Sequence, residues 1–258
     1  MDVMRRLHEL FAERARRVTV TDLVLGLGYT AVATDDGGLG LAYTWFTDKT
    51  CCSFWRDWED VEGGPASRLL DRLLSDNGLE RSVGLATANA LNRSVADRLP
   101  TDESQAGALV DGMRIGRGSK VAMVGFFPPV AKKLRDLGAE LDVVDAGRGM
   151  GDERAFRERL GDWADVLILT STTLLGGTTE DFLACAGSRV RIALLGPSTP
   201  LVPEAFAGLP VDVLAGMVPG DAAPVLRRVR HGAGTPDLQR LSRKVFWRRA
   251  GGAGEGTV

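Results

Sequence analysis

Short apolar runs alternate with longer polar stretches in the second half of the chain. Candidate strands lie at residues 121–125, 141–144, 166–169, 192–195 and 211–214. An unbroken apolar run is typical of a strand that is covered on both faces, as in a parallel sheet. Segments near 129–137, 152–161, 177–186 and 203–207 have the length and composition of crossover helices. The pattern predicts an α/β fold with a doubly wound parallel sheet of about five strands.

The first part of the chain has a different pattern. Apolar residues recur at helical spacing within residues 2–17, which predicts an amphipathic helix. Strands are predicted at 18–27, 29–34 and 39–46, and helices at 67–75 and 82–95. Residues 35–38, Asp-Asp-Gly-Gly, suit a hairpin turn between the second and third strands. This part is therefore predicted to be an α+β unit.

Composition along the chain sets the expected unit boundaries. Residues 101–118 are polar and rich in glycine, which is typical of a connection between domains. We expect an α+β domain over residues 1–105 and an α/β domain over 106–232. The remainder, 233–258, is predicted to be a helix at 236–249 followed by a disordered glycine-rich tail.

Charge and cysteine content narrow the possible classes of function. The 258 residues include 32 basic and 34 acidic ones, a net charge of -2, which gives no electrostatic basis for binding nucleic acid or an anionic membrane. No apolar run reaches the roughly 20 residues that span a bilayer, and the N-terminus is unlike a signal peptide. With only three cysteines, the expected location is the reducing cytoplasm.

Loops at the carboxyl ends of the predicted strands carry the candidate ligand contacts. If the strands take the common order 3-2-1-4-5, the loops after the first and fourth strands flank the point where the winding reverses, which is where such sheets bind ligands. The loop after the third strand is expected near the same edge of the sheet. Candidate ligand-binding residues from these loops are Phe126, Pro128, Thr170, Thr172, Thr173, Gly196, Pro197, Ser198 and Thr199. The alternative is that Ser198 and Thr199 only cap a turn.

Two polar residues outside those loops are also candidates. Asp145 ends the second predicted strand, where nucleotide-binding domains place an acid that binds ribose hydroxyls. The glycine fingerprint of dinucleotide sites is missing after the first strand, so a dinucleotide is not expected, and a small anion or an adenosyl cofactor without pyrophosphate, such as S-adenosylmethionine, is the candidate. A solvated carboxylate is the alternative for Asp145. Asn89 is the polar amide of a helix of small residues, and is either a link between domains or a ligand contact.

Side chains that bind metals are sparse. Adjacent Cys51 and Cys52 lie in an aromatic segment with Asp48, and we expect them in the core rather than in a metal site. Cys185 is expected in the core as well. His8 and His231 lie far from these cysteines in the sequence. No intrinsic metal site is predicted.

Several segments resemble a bacterial and archaeal family of heavy-metal chelation proteins (DUF364, with an N-terminal DUF4213 domain). They are GLGYTAV at 26–32, GLATANAL at 84–91, VAMVGFFP at 121–128, TTLLGGT at 172–178 and GPSTPLVP at 196–203. The resemblance implies an enolase-N-terminal-like domain, a Rossmann-like domain and a cleft between them. It also implies that the protein handles a metal or a metal chelate. Relatives often have histidine after the glycine of the first strand, where this chain has Phe126. They often have asparagine in the loop after the third strand, where this chain has Gly176.

The sequence thus predicts binding of a small polar or anionic ligand in an interdomain cleft, with a metal ion or a metal chelate as the candidate. An S-adenosylmethionine-dependent transferase and a non-catalytic binding module are the alternatives. No nucleophile–base pair or carboxylate dyad can be assigned, so no catalytic residue is named. A homodimer is the candidate assembly.

Overall fold

The computed structural model describes residues 2–46, 60–103 and 106–250. The expectations for Asp48, Cys51, Cys52 and a disordered tail beyond residue 250 fall outside these residues.

The N-terminal unit is a three-stranded antiparallel sheet with helices packed on it. Helix α1 (Val3–Ala15) begins at Asp2, whose carboxylate accepts the amides of Met4 and Arg5. The sheet has the order β1-β2-β3, with β1 at Val20–Leu25, β2 at Tyr29–Thr34 and β3 at Leu39–Tyr43. Helix α2 (Ser67–Leu70) continues into a 3-10 turn at Asp71–Leu74, and α3 (Gly78–Leu91) and α4 (Arg93–Ala96) follow. The predicted α+β arrangement is present.

The turn between β2 and β3 is organised by Asp36. Its carboxylate accepts hydrogen bonds from Thr34 Oγ1 at 2.7 Å, from the Gly38 amide at 3.2 Å and from Arg14 at 2.6 Å. Burial pushes the pKa of Asp36 upward, but these donors outweigh it, so the pKa lies below its usual value. Gly37, with φ at 82°, supplies the left-handed residue that the turn requires.

The second unit is built on a six-stranded sheet. After α5 (Gly107–Gly112) come β4 (Lys120–Val124), α6 (Pro128–Asp136), β5 (Glu140–Val144), a 3-10 turn at Ala146–Arg148 and α7 (Glu153–Trp163). Next are β6 (Val166–Thr170), α8 (Thr172–Gly176), α9 (Thr179–Cys185), β7 (Arg191–Leu195) and a 3-10 turn at Pro203–Phe206. The unit ends with β8 (Val213–Pro219), α10 (Ala222–Arg230), α11 (Thr235–Gln239) and β9 (Ser242–Arg248).

The strand order differs from the expected one. The order is β5-β4-β6-β7-β8-β9, with β9 antiparallel to β8 and the other pairings parallel. The prediction that β4 lies beside β7 is therefore wrong, and the order reverses between β4 and β6. The expected order would have put β6 at an edge, yet residues 166–169 are all buried, as a central strand requires. β5, which carries Glu140 and Asp142, takes the edge.

Two local predictions are also wrong. The helix predicted at 236–249 is a short helix, α11, followed by the edge strand β9. The apolar positions Leu238, Leu241 and Val245 fit helical spacing, but pairing with β8 along the whole of β9 determines the conformation. The loop predicted at 170–179 contains the helical turn α8, within which Thr173 Oγ1 donates to the carbonyl of Thr170 at 2.8 Å.

The two units share a continuous core. All residues of β2 are buried, so the small sheet is covered on both faces. On one face Val32 packs in a cluster with residues of α1 and α3. On the other, Ala31 and Leu41 pack with Val225 of α10 and Leu238 of α11. Tyr29 binds Thr235 through its hydroxyl at 2.6 Å, and burial raises the pKa of Tyr29 to about 12.

Candidate functional site

The carboxyl ends of β4, β6 and β7, with Ala215 of the neighbouring strand β8, form a half-buried row. Thr170 pairs with Leu195, and Leu195 pairs with Ala215, across β6, β7 and β8. Gly125, which follows β4, adjoins Thr170: a Cβ atom on this glycine would lie 2.8 Å from Thr170 Cβ. All four residues are partly accessible. We call Gly125, Thr170, Leu195 and Ala215 the carboxyl-edge row. It crosses the point where the strand order reverses, the usual ligand position in such sheets.

One end of the row is bordered by Phe126, Asp145 and Arg148. The Phe126 amide donates to Asp145 Oδ2 at 2.9 Å, and the Arg148 amide donates to Asp145 Oδ1 at 3.2 Å. The Arg148 guanidinium lies 5.5 Å from the centre of the Phe126 ring, and its Nε is 3.5 Å from Asp145 Oδ2. Asp145 therefore holds the loop after β4 and the arginine together, and both of its oxygens already accept protein hydrogen bonds.

The threonines after β6 divide into accessible and buried ones. Thr170 and Thr172 are partly accessible, and their hydroxyls lie 3.0 Å apart. Thr173 is buried, and its hydroxyl bonds Thr179 Oγ1 at 2.7 Å as well as the Thr170 carbonyl. The structure thus brings Thr170 and Thr172 to the rim near Phe126 and uses Thr173 inside the fold.

The loop after β7 fastens the two units together. Ser198 is 1% exposed and Thr199 is 2% exposed, so both side chains lie inside the fold. Ser198 Oγ accepts the Tyr43 amide at 2.7 Å, and Asn89 Nδ2 donates to the carbonyls of Leu41 at 2.9 Å and of Ser198 at 3.4 Å. Asn89 is therefore a link between the units. The interface at this loop is packed, and the expected open cleft does not run along Ser198.

Glycines and prolines shape the remaining part of the rim. Gly196 has φ at 138°, and a Cβ there would lie 2.7 Å from Ser171 Oγ. Pro197 is half-buried, and Pro128 is exposed at the start of α6. Ser171 and Thr199 each have a buried hydroxyl without a hydrogen-bond partner within the part of the chain that the structure describes.

Gly176, where the resembled family often has asparagine, lies against the N-terminal unit. A Cβ on Gly176 would lie 3.3 Å from the Trp45 ring. The Trp45 amide donates to Ser82 Oγ at 3.0 Å, which fixes the backbone of this tryptophan on α3. The absence of a side chain at Gly176 therefore makes room for a ring from the other unit.

Metal-binding side chains do not gather in the described segments. Within residues 2–46, 60–103 and 106–250 there is no group of three or more His, Cys, Asp or Glu side chains that could hold a metal ion. His8 bonds Asp71 at 2.8 Å, and Cys185 packs partly buried beside the core. In the same segments, no helix has both the length and the apolar character needed to cross a membrane.

Arg148, Leu195 and Ala215 border or form the row but were not among the sequence-predicted residues. Arg148 follows Asp145 by three positions, a spacing that could have indicated a side chain over the same turn. Leu195 and Ala215 carry no chemical signal in the sequence, since apolar residues in strands are ordinary.

Comparison with protein families gives two matches that together span most of the chain. The DUF364 family, described as "Putative heavy-metal chelation", matches residues 108–248. The chain belongs to this family. The DUF4213 family, with the same description, matches residues 8–92. Residues of the carboxyl-edge row all lie within the DUF364 match, and Asn89 lies within the DUF4213 match. No curated protein matches the chain.

Two solved structures of DUF364 proteins of unknown function share the fold over nearly the whole chain. The protein from Pyrococcus horikoshii is 23% identical with a TM-score of 0.80, covering 96% of this chain and 100% of its own. The protein from Desulfitobacterium hafniense DCB-2 is 23% identical with a TM-score of 0.76, covering 95% of this chain and 98% of its own. At this identity the similarity shows a common fold.

Proposed function

We propose that the protein binds a metal chelate through the anionic groups of the chelator, at the rim formed by Phe126, Arg148, Thr170 and Thr172. The observation that carries this proposal is the Asp145-held guanidinium of Arg148 over the Phe126 ring, next to the carboxyl-edge row. The family's description supports a role in handling metals.

The chemistry of the rim favours an organic oxyanion as the group that is bound. A guanidinium presents several N–H donors in a fork that matches the two oxygens of a carboxylate. The hydroxyls of Thr170 and Thr172 can donate to further oxygens. Gly125, Thr170, Leu195 and Ala215 are all partly accessible, so a ligand can reach this edge of the sheet. These donors suit the outer oxygens of a chelator that carries its own metal.

Calorimetric titration with iron(III)–citrate, nickel–citrate and citrate alone tests the proposal. Arg148→Gln should weaken chelate binding by about 1.5–3 kcal/mol, the usual contribution of a hydrogen bond to a charged group, which is about ten- to hundredfold in affinity. Arg154→Gln is the matched control, because Arg154 is an exposed arginine of α7 paired with Glu158. Equal affinities of wild type and Arg148→Gln would contradict the proposed site.

An S-adenosylmethionine-dependent transferase is the second candidate, favoured by the position of Asp145. This carboxylate ends β5, beside β4 and the reversal of strand order, and its side chain is 18% exposed. Each oxygen of a carboxylate can accept more than one hydrogen bond, so ribose hydroxyls could share it. Titration with S-adenosylmethionine distinguishes the candidates: binding that Asp145→Asn abolishes, with no response to citrate complexes, would favour the transferase. Binding of either ligand without turnover would favour a non-catalytic module.

A further inference from the structure

A groove whose lining shares no residue with the carboxyl-edge row lies between α4 and β9, at the carboxyl end of β8. Its volume is about 540 Å³, and its walls include Arg93 and Asp97 from the N-terminal unit and Arg243 and Lys244 from β9. Volumes of about 300–1,000 Å³ are typical of small-molecule sites, which often lie at the junction between domains. The groove is thus large enough for a metabolite and is separate from the carboxyl-edge row.

A smaller cavity of about 20 Å³ adjoins the groove on its inner side, and Arg93, Val218 and Pro219 line both spaces. Thr199 lines the inner cavity, and its buried Oγ1 has no hydrogen-bond partner among the described residues. Buried hydroxyls are nearly always satisfied in proteins, so an unsatisfied one beside a cavity indicates a missing partner. A cavity of this volume accommodates about one water-sized group.

Arg93 lines both the groove and the inner cavity, and part of its guanidinium has no hydrogen-bond acceptor among the described residues. Its Nε donates to Asp97 Oδ2 at 2.7 Å, and its side chain is 22% exposed. Its two terminal nitrogens make no hydrogen bond within residues 2–46, 60–103 and 106–250. Arg243 also lies 3.7 Å from Asp97. Two guanidinium groups therefore share one carboxylate, which leaves this end of the groove with a net positive charge.

The opposite charge lines another part of the groove. Asp102 and Glu103, from the segment after α4, belong to the lining, and the Asp102 amide donates to the Lys244 carbonyl at 2.9 Å. A ligand that carries both charges would match both parts. Phosphate esters fit less well, since nearby carboxylates repel multiply charged anions.

We propose that this groove is a second ligand site, specific for a small zwitterion of the α-amino-acid type. The carboxylate of the ligand lies against Arg93, with one oxygen in the inner cavity where it accepts a hydrogen bond from Thr199 Oγ1. The ammonium group faces Asp102 and Glu103. The side chain of the ligand occupies the remaining space above Pro219.

Saturation-transfer NMR and calorimetry with glycine, L-glutamate and L-lysine test this site, with acetate, methylamine and inorganic phosphate as comparisons. At least one amino acid should bind at least about tenfold more tightly than the three comparison compounds. Thr199→Val and Arg93→Gln should each weaken that binding by about tenfold or more, because each removes a hydrogen bond to a charged group. Thr199→Ser should retain it. Arg98→Gln is the control, since Arg98 is exposed on the turn after α4 and lies outside the groove lining.

Three results would overturn the proposal. One is the lack of binding of any of these amino acids, at millimolar concentration, to folded wild-type protein. Another is binding of inorganic phosphate as tight as that of the best amino acid. The third is amino-acid binding that both Thr199→Val and Arg93→Gln leave unchanged. If Thr199→Val does not fold, Arg93→Gln decides the question, because Arg93 is partly exposed. Binding of citrate complexes at the rim that includes Arg148 is measured separately, so the proposals for the two sites are tested independently.

Discussion

The backbone amide of Tyr43 donates a hydrogen bond of 2.7 Å to the hydroxyl of Ser198, 155 positions later in the chain. Tyr43 is the last residue of β3, whose other edge pairs with β2. The free edge of β3 is therefore satisfied by a loop of the second unit, and the nearby carbonyl of Leu41 is satisfied by Asn89. Unpaired strand edges are otherwise sites of aggregation, so this contact protects the small sheet.

Ser198→Ala should lower the free energy of unfolding by about 1–3 kcal/mol, because it removes the buried hydroxyl that accepts the Tyr43 amide. Chemical denaturation measures the change. Ser94→Ala, at an exposed serine of α4, is the control and should change stability by less than about 0.5 kcal/mol. If Ser198→Ala is as stable as the control, the hydrogen bond does not fasten the two units.

Asn89→Ala should also destabilise the fold, by about 1–2 kcal/mol, because the Leu41 carbonyl loses its donor. Asn89 also donates to the Ser198 carbonyl, so the two side chains belong to one network. A double-mutant cycle with Ser198→Ala should therefore give a coupling energy above about 0.5 kcal/mol. Strictly additive effects would show that the two contacts are independent.

Gly125→Ala and Gly149→Ala separate the backbone strain of replacing a glycine at positive φ from the steric clash of the added Cβ. Both glycines have positive φ, 81° and 62°, and alanine at such a position costs about 1–2 kcal/mol. Around Gly149 there is open space, whereas a Cβ at Gly125 would lie 2.8 Å from Thr170 Cβ. Gly125→Ala should therefore lower the denaturation midpoint more than Gly149→Ala does. Similar midpoints would mean that β4 and β6 have room to separate at the carboxyl-edge row.

Asp36 should give the protein a pH-dependent contribution to stability. Because its folded-state pKa is lowered, the contribution is present above the unfolded-state pKa of about 3.9 and is lost as the pH falls through the folded-state pKa. Asp36→Asn should lower the melting temperature at neutral pH, and the difference from wild type should narrow as the pH falls below the unfolded-state pKa. Glu9→Gln, which alters an exposed carboxylate of α1, is the control. A difference that stays constant with pH would contradict the assigned hydrogen bonds.

The sequence was sufficient for features that depend on local patterns. β2 is found at the residues where alternation predicted it, and the turn at Asp36 follows from its glycines. β9 was mistaken for a helix because Leu238, Leu241 and Val245 satisfy helical spacing, although only Val245 lies within the strand. The competing information is the pairing with β8, which no local window contains.

The candidate site could be predicted only in part, for a similar reason. The loops that carry Phe126, Thr170 and Ser198 were recognised, but their neighbours depend on strand order. With β6 beside β4, Thr170 adjoins Gly125, and Ser198 is carried away to the interface with β3. Burial then separates Thr172, which remains accessible, from Thr173, although the sequence gives these adjacent threonines the same chemistry.

Helices α10 and α11, in the DUF364-matched segment, cover one face of the small sheet in the DUF4213-matched segment. The two segments are therefore halves of one structure. A break between residues 103 and 106 would leave Leu41 and its neighbours without Val225 and Leu238, so each fragment would expose an apolar face. Fragments produced separately should be insoluble or unfolded, and mixing them should restore the native structure. Such a pair would form a split-protein system in which complementation depends on the buried junction.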